Sequence, residues 1–167
     1  MSRLFLSAAL LAATLAVTAG PAAAALGPDA AACSAGANRP AMLVSVNGFK
    51  NRVGRIRVQL YDNNPANFLE KGKKRKRIEL PVTRAGAMNV CVALPKAGTY
   101  AVSVHHDADN DGKRGWNHGG GFTGNPKLSL IKLKPSHRQT AVSVGNGMKT
   151  VPVVLNYRRG LSVGPIG

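Results

Sequence analysis

Gly54-Arg55-Ile56-Arg57-Val58-Gln59-Leu60-Tyr61-Asp62 is the stretch that decides the fold. Ile56, Val58 and Leu60 alternate with Arg55, Arg57 and Gln59, a period of two that gives a strand one dry face and one wet face. A helix would instead space its apolar residues three and four apart. The same alternation runs outward in both directions. Met42, Val44 and Val46 precede it; Ile78, Leu80 and Val82, then Val90, Val92 and Leu94, then Tyr100, Val102 and Val104 follow. Val142 with Val144, and Val151, Val153 and Leu155, complete seven strand candidates. Turn residues separate them, among them Asn47-Gly48, Asn51 to Gly54 and Arg84 to Ala87. The pattern predicts an all-β chain folded as a single antiparallel β-sandwich of about seven strands. Pro81 places its strand at a sheet edge or at the strand's end, because proline cannot donate to the ladder. Leu94 to Tyr100 reads as a corner leading into a strand with a buried Tyr. Asn63 to Lys71 holds the one helical turn, with Pro65 in its first turn.

Composition agrees. The 167 residues suit one domain, and 44% hydrophobic content is too much for a disordered basic tail. Nineteen Gly and ten Pro fit short strands and tight turns. A coiled coil, a multi-span membrane protein and a large cofactor enzyme are excluded. The charge is lopsided, 23 Lys and Arg against 7 Asp and Glu, for a net +16.

The domain plan follows. Residues 1–25 read as a secretory signal: Arg3 gives the positive start, Leu4 to Val17 the apolar stretch, and Ala22 to Ala25 the A-x-A cleavage site. The apolar stretch is short for a bilayer span. Residues 26–41 form an N-terminal segment carrying Cys33, residues 42–157 the sandwich, and residues 158–167 a flexible tail. The chain is thus expected to be exported, to the periplasm or beyond. Export favours pairing its two cysteines, Cys33 and Cys91, and Cys91 alternates with Val90 and Val92, so it faces away from the core. Such a bridge closes a long loop and stabilises by about 4 kcal/mol in the chain-entropy account. A redox-active pair would need the C-x-x-C spacing.

Three of the seven acids fall within five residues, Asp107, Asp109 and Asp111, in His106-Asp107-Ala108-Asp109-Asn110-Asp111-Gly112-Lys113. The spacing matches the opening of a calcium loop, with alternate carboxylates, a Gly for the sharp turn, and a following carbonyl, here that of Lys113. Counted from Asp107, position nine is Gly115 and position twelve is His118 instead of the bidentate Glu. Calcium is therefore expected to bind weakly, in the range of about 10⁻⁴–10⁻³ M. The competing reading is an acidic turn neutralised by Lys113, Arg114 and nearby basic strands. A third adds His105, His106 and His118 for a transition metal, but His105 and His106 point to opposite faces of a strand. Asn117 to Gly121, beside Trp116, reads as a glycine-rich loop.

Lys71, Lys73, Lys74, Arg75, Lys76 and Arg77 put six cations in seven residues, near Arg55, Arg57, Arg52 and Lys50. If these surfaces adjoin, they attract anionic envelope polymers or lipid head groups by charge. Otherwise the run is a solvated hairpin that blunts an edge strand. Nucleic acid is the poorest match, because the run has no interleaved aromatics for stacking. Catalysis finds little support: there is no G-x-S-x-G, no phosphate-cradling glycine loop, and only Glu70 and Glu79 as glutamates. The chain reads as non-enzymatic, with a small hydrolase built on the acidic island as the last alternative.

The order of features resembles the domain of unknown function 2141 family, exported bacterial β-proteins. The residues that carry the resemblance are Leu43 to Gly48, Gly54 to Asp62, Phe68-Leu69, Leu94-Pro95, and Gly98-Thr99-Tyr100 through Lys113, within residues 42–157. The resemblance implies an immunoglobulin-like or transthyretin-like sandwich at the periplasm or envelope. It implies no activity and transfers no catalytic residues.

Overall fold

The computed structural model describes residues 24–113, 115 and 117–166. Residues 1–23 of the expected signal, and Arg114 and Trp116, lie outside the described residues. Among the described residues ten strands form: β1 (Ala41–Asn47), β2 (Arg55–Tyr61), β3 (Lys76–Pro81), β4 (Met88–Ala93), β5 (Gly98–Asp107), β6 (Gly119–Phe122), β7 (Val142–Val144), β8 (Met148–Val154), β9 (Asn156–Arg159) and β10 (Ser162–Pro165). A single-turn helix, α1 (His137–Thr140), precedes β7.

The strands make two sheets. The smaller has the order β4-β1-β8; the larger runs β10-β9-β6-β5-β2-β3, with β7 paired to the start of β5. The period-two residues of both sheets meet between them. Met42, Val44 and Val46 of β1 and Val90 and Val92 of β4 pack with Ile56, Val58, Leu60, Val102 and Val104 of the larger sheet. Burial of each such side chain contributes about 1.5–3 kcal/mol. Tyr100 is buried at the expected corner, and its hydroxyl donates to the Lys96 carbonyl at 3.0 Å. Pro65 opens the 3₁₀ turn Pro65–Asn67, and Pro81 ends the edge strand β3.

Three expectations need correcting. The sandwich has more than seven strands, and it is not wholly antiparallel, because β1 runs parallel to β8. The glycine-rich segment is not simply a loop: Gly119–Phe122 is β6, an interior strand between β5 and β9. Nor is all of 158–167 a loose tail, since Ser162–Pro165 pairs with Asn156–Arg159 as a terminal hairpin. Leu155 explains how β9 reaches the larger sheet. The chain leaves β8 of the smaller sheet at Val154, buries Leu155 completely, and enters β9 one residue later.

Both edges of the smaller sheet are covered, as exposed edges invite pairing with other chains. On β4, Leu26 donates its N–H to the Asn89 carbonyl at 2.7 Å and accepts from the Cys91 N–H at 3.0 Å. Cys33 is joined to Cys91, within a small cluster with Ala32 and Ala41 that lies apart from the main core. Asp29 adds a polar tie: its Oδ2 accepts from the Ala93 N–H at 2.9 Å and from Lys76 Nζ at 2.5 Å. On β8, Pro152 lacks a donor, and the Asn125 side chain accepts from the Val154 N–H and donates to the Pro152 carbonyl.

Candidate metal centre

Strand β5 distributes its polar residues by parity. Tyr100, Val102, Val104 and His106 face the core, so His105 and Asp107 face the other side. The two adjacent histidines therefore separate, as expected. His106 is fully buried, with Nε2 2.8 Å from the Val53 carbonyl and Nδ1 2.6 Å from the Tyr157 hydroxyl. A carbonyl only accepts, so Nε2 carries the proton and Nδ1 accepts from Tyr157. Burial pushes the His106 pKa below the ordinary imidazole range and that of Tyr157 above the ordinary phenol range. His106 is a neutral core residue with both nitrogens engaged. His105 lies with its ring 5.2 Å from that of His118.

The end of β5 is shaped by a close approach. Gly54 has a φ of +74°, and a Cβ there would stand 1.9 Å from the Asp107 carbonyl oxygen, so only glycine lets the chain before β2 cross the start of the acidic loop. The loop then wraps its carboxylates around backbone donors. Asp107 Oδ2 accepts from the Gly112 N–H at 2.9 Å, Asp109 Oδ1 from the Asp111 N–H at 3.3 Å, and Asp111 Oδ1 from the Lys113 N–H at 2.8 Å. Gly112, with φ +75°, supplies the expected sharp turn.

His118, just before β6, closes the group. Its Nε2 lies 2.8 Å from Asp109 Oδ1, 3.7 Å from Asp107 Oδ1 and 4.0 Å from Asp111 Oδ1. One ligand atom from each of Asp107, Asp109, Asp111 and His118 falls within 4.8 Å of the others. Oxygens bound to one calcium at about 2.3–2.6 Å span up to about 5 Å across the ion, so the group fits a single coordination sphere. Asp107 is only 4% exposed, yet its Oδ1 has no hydrogen-bond partner. A buried, unsatisfied carboxylate oxygen is costly unless something external satisfies it. The His118 N–H holds the Asp109 carboxyl below the ordinary carboxylate range, with burial opposing.

Of the residues predicted from sequence, Asp107, Asp109 and Asp111 are brought together, while Lys113, expected to offer its carbonyl, meets the group through its N–H, which donates to Asp111. His118, weighed from the sequence as a ligand only within a transition-metal set with His105 and His106, is the residue that closes the group, and it does so from the twelfth position counted from Asp107.

The basic run is divided. Arg75 pairs with Asp62 at 2.7 Å, Lys76 with Asp29 at 2.5 Å, and Arg77 with Glu79 at 3.1 Å, while Glu79 also takes Arg57 at 2.7 Å. Lys71, Lys73 and Lys74 form no ion pair among the described residues. A surface hollow of about 660 Å³, lined in part by Leu60, Leu94, Tyr100, Arg75 and Lys76, therefore has two of its cations already matched by carboxylates.

These features define a β-sandwich module with an acidic, histidine-closed loop at one end of its larger sheet. The chain belongs to the bacterial family described as "uncharacterized protein conserved in bacteria (DUF2141)", which matches residues 44–152, from β1 into β8 and across the whole loop. No curated protein and no solved structure matches the chain. Among the described residues, no helix is long and apolar enough to cross a membrane.

Proposed function

We propose that this is an exported, non-enzymatic β-sandwich module of the bacterial periplasm whose 107–118 loop is completed by a divalent cation, with calcium the reference ion. The observation that carries the reading is the buried Asp107 Oδ1, without a hydrogen bond and in a group whose carboxylate oxygens from Asp107, Asp109 and Asp111 lie within 4.8 Å of one another. In a chain of net charge +16, basic side chains abound, yet no Lys or Arg of the described residues pairs with this carboxylate. Arg55 stands opposite Asp107 in the β2–β5 register without pairing with it. A cation bound there would satisfy the orphaned oxygen and the mutual repulsion of the three carboxylates together. Attraction of anionic envelope polymers or lipid head groups is the lesser reading, since Arg75, Lys76 and Arg77 of the basic run are matched internally and, within the run, Lys71, Lys73 and Lys74 are left to it.

The test is thermal melting of oxidised protein recovered from the periplasm, whose mass is expected to begin at Leu26. Calcium at ten times its dissociation constant stabilises the folded state by about 1.4 kcal/mol. That is about 3–6 °C for a domain of this size, reversed by chelator. Asp109→Ala is expected to abolish the shift. An undiminished shift in that variant would remove the loop from the account.

A further inference from the structure

We propose that His118 is the loop's internal lock and not a metal ligand, so that the site takes a hard, oxygen-seeking cation of the calcium class in preference to one of the zinc class. The inference rests on the cation reading above and adds which cation. Gly115 donates its backbone N–H to His118 Nδ1 at 3.0 Å. That bond uses the Nδ1 lone pair, so the proton of the neutral ring sits on Nε2, the nitrogen that faces the carboxylates. At 2.8 Å from Asp109 Oδ1, Nε2 has the distance of a charge-assisted N–H···O⁻ bond.

A metal needs a nitrogen lone pair. Metal-bound histidines donate their other N–H to a carbonyl, carboxylate or water, which fixes the ring in the ligating tautomer. His118 has the opposite arrangement, because its outward nitrogen meets an N–H donor. Ligation by Nε2 would move the proton to Nδ1 and set it against the Gly115 N–H. The ring has little room to turn, being 8% exposed and packed edge-on to His105 at 5.2 Å. The donors left to a cation are the oxygens of Asp107, Asp109 and Asp111, the hard set that calcium prefers and zinc does not require. His118 stands where a calcium loop has its bidentate Glu, and its N–H gives the empty loop a partial substitute for the cation. Entry of a cation must release Asp109 from that bond, which weakens binding.

Two measurements on the mature, oxidised protein test this. Long-range ¹H–¹⁵N NMR reads the His118 tautomer in chelator, then with calcium chloride or zinc chloride added. Melting titrations with both salts compare the wild type with His118→Glu and His118→Gln. Expected are the Nε2–H tautomer in chelator, calcium binding tightened about tenfold in His118→Glu and held within about threefold in His118→Gln. Zinc is expected to bind no tighter than calcium. Zinc binding that is tighter than calcium binding, lost in His118→Gln and accompanied by a ligated Nε2 signal, would overturn the lock and leave the cation reading standing. No response of either the wild type or His118→Glu to either salt would overturn both. If His118→Glu does not fold, the tautomer and the glutamine variant decide.

Discussion

Asp29, Asp62 and Glu79 each lie within 2.7 Å of a Lys or Arg nitrogen, whereas Asp107, Asp109 and Asp111 gather around one histidine. Both trios belong to the same strongly basic chain, so the supply of cations does not explain the difference. The first trio sits along β3 and its flanks, where the basic run passes and long side chains reach across. The second sits at the end of β5, where the N–H groups of Asp111, Gly112 and Lys113 turn the carboxylates toward one another and His118, with Asp107 buried and Asp109 and Asp111 exposed. Backbone direction, and not charge density, decides which acids are neutralised from within.

The contrast can be broken at its strongest paired member. Asp29→Ala leaves the Ala93 N–H without its acceptor and Lys76 without its partner, and is expected to cost about 2–3 kcal/mol in urea unfolding. A cost below about 0.5 kcal/mol would mean that the disulfide and the Leu26 backbone bonds suffice to hold the N-terminal segment, and that pairing matters little on either side. For the second trio the sign should reverse. Asp107→Asn removes one of three crowded negative charges, keeps an oxygen for the Gly112 N–H, and is expected to stabilise the chelated protein by about 1 kcal/mol while abolishing the calcium shift. Destabilisation in chelator would show that Asp107 is already satisfied and that the two trios do not differ.

The smallest effect sharpens the pH side of the comparison. Burial works to raise the Asp62 pKa, but hydrogen bonds from Asn67, Arg75 and the Asn64 N–H outweigh it and hold the carboxyl below its ordinary range. A carboxyl lowered in the folded state contributes fully above its unfolded pKa, about 3.9, and loses that contribution as pH falls through the folded value. Asp62→Asn should therefore cost about 0.5–1 kcal/mol at pH 7 and nearly nothing at about pH 2. Urea midpoints at the two pH values measure this, and an unchanged cost at low pH would assign the loss to packing.

The sequence made plain whatever carried side-chain alternation. β2 and β5 were readable at once, and Cys91 was placed off the core face by Val90 and Val92 on either side. β6 was hidden because Gly119, Gly120 and Gly121 have no side chains to alternate. The fold shows why they are absent: a Cβ on Gly119 would stand 2.5 Å from the Tyr157 ring, and one on Gly121 2.7 Å from Val153. Strands β9 and β10, with four residues each, are too short to show a period. Of the candidate site, the three carboxylates were legible from spacing alone. The role of His118 was not, because its ring direction depends on where β6 joins the sheet and on the Gly115 N–H.

The bond between Cys33 and Cys91 also has a mechanical consequence. Tension applied between Leu26 and the C-terminal hairpin enters at Cys33, crosses the sulfurs and leaves through Cys91, a bypass of 58 residues. β1, β2 and β3 lie inside that bypass, so their backbone cannot be drawn out between the two ends while it is intact. Stretching the oxidised chain would release about 200 Å less length than stretching the reduced one, at about 3.3–3.6 Å per residue. A module tethered by its two ends would thus be short and stiff when oxidised, and extensible only after reduction.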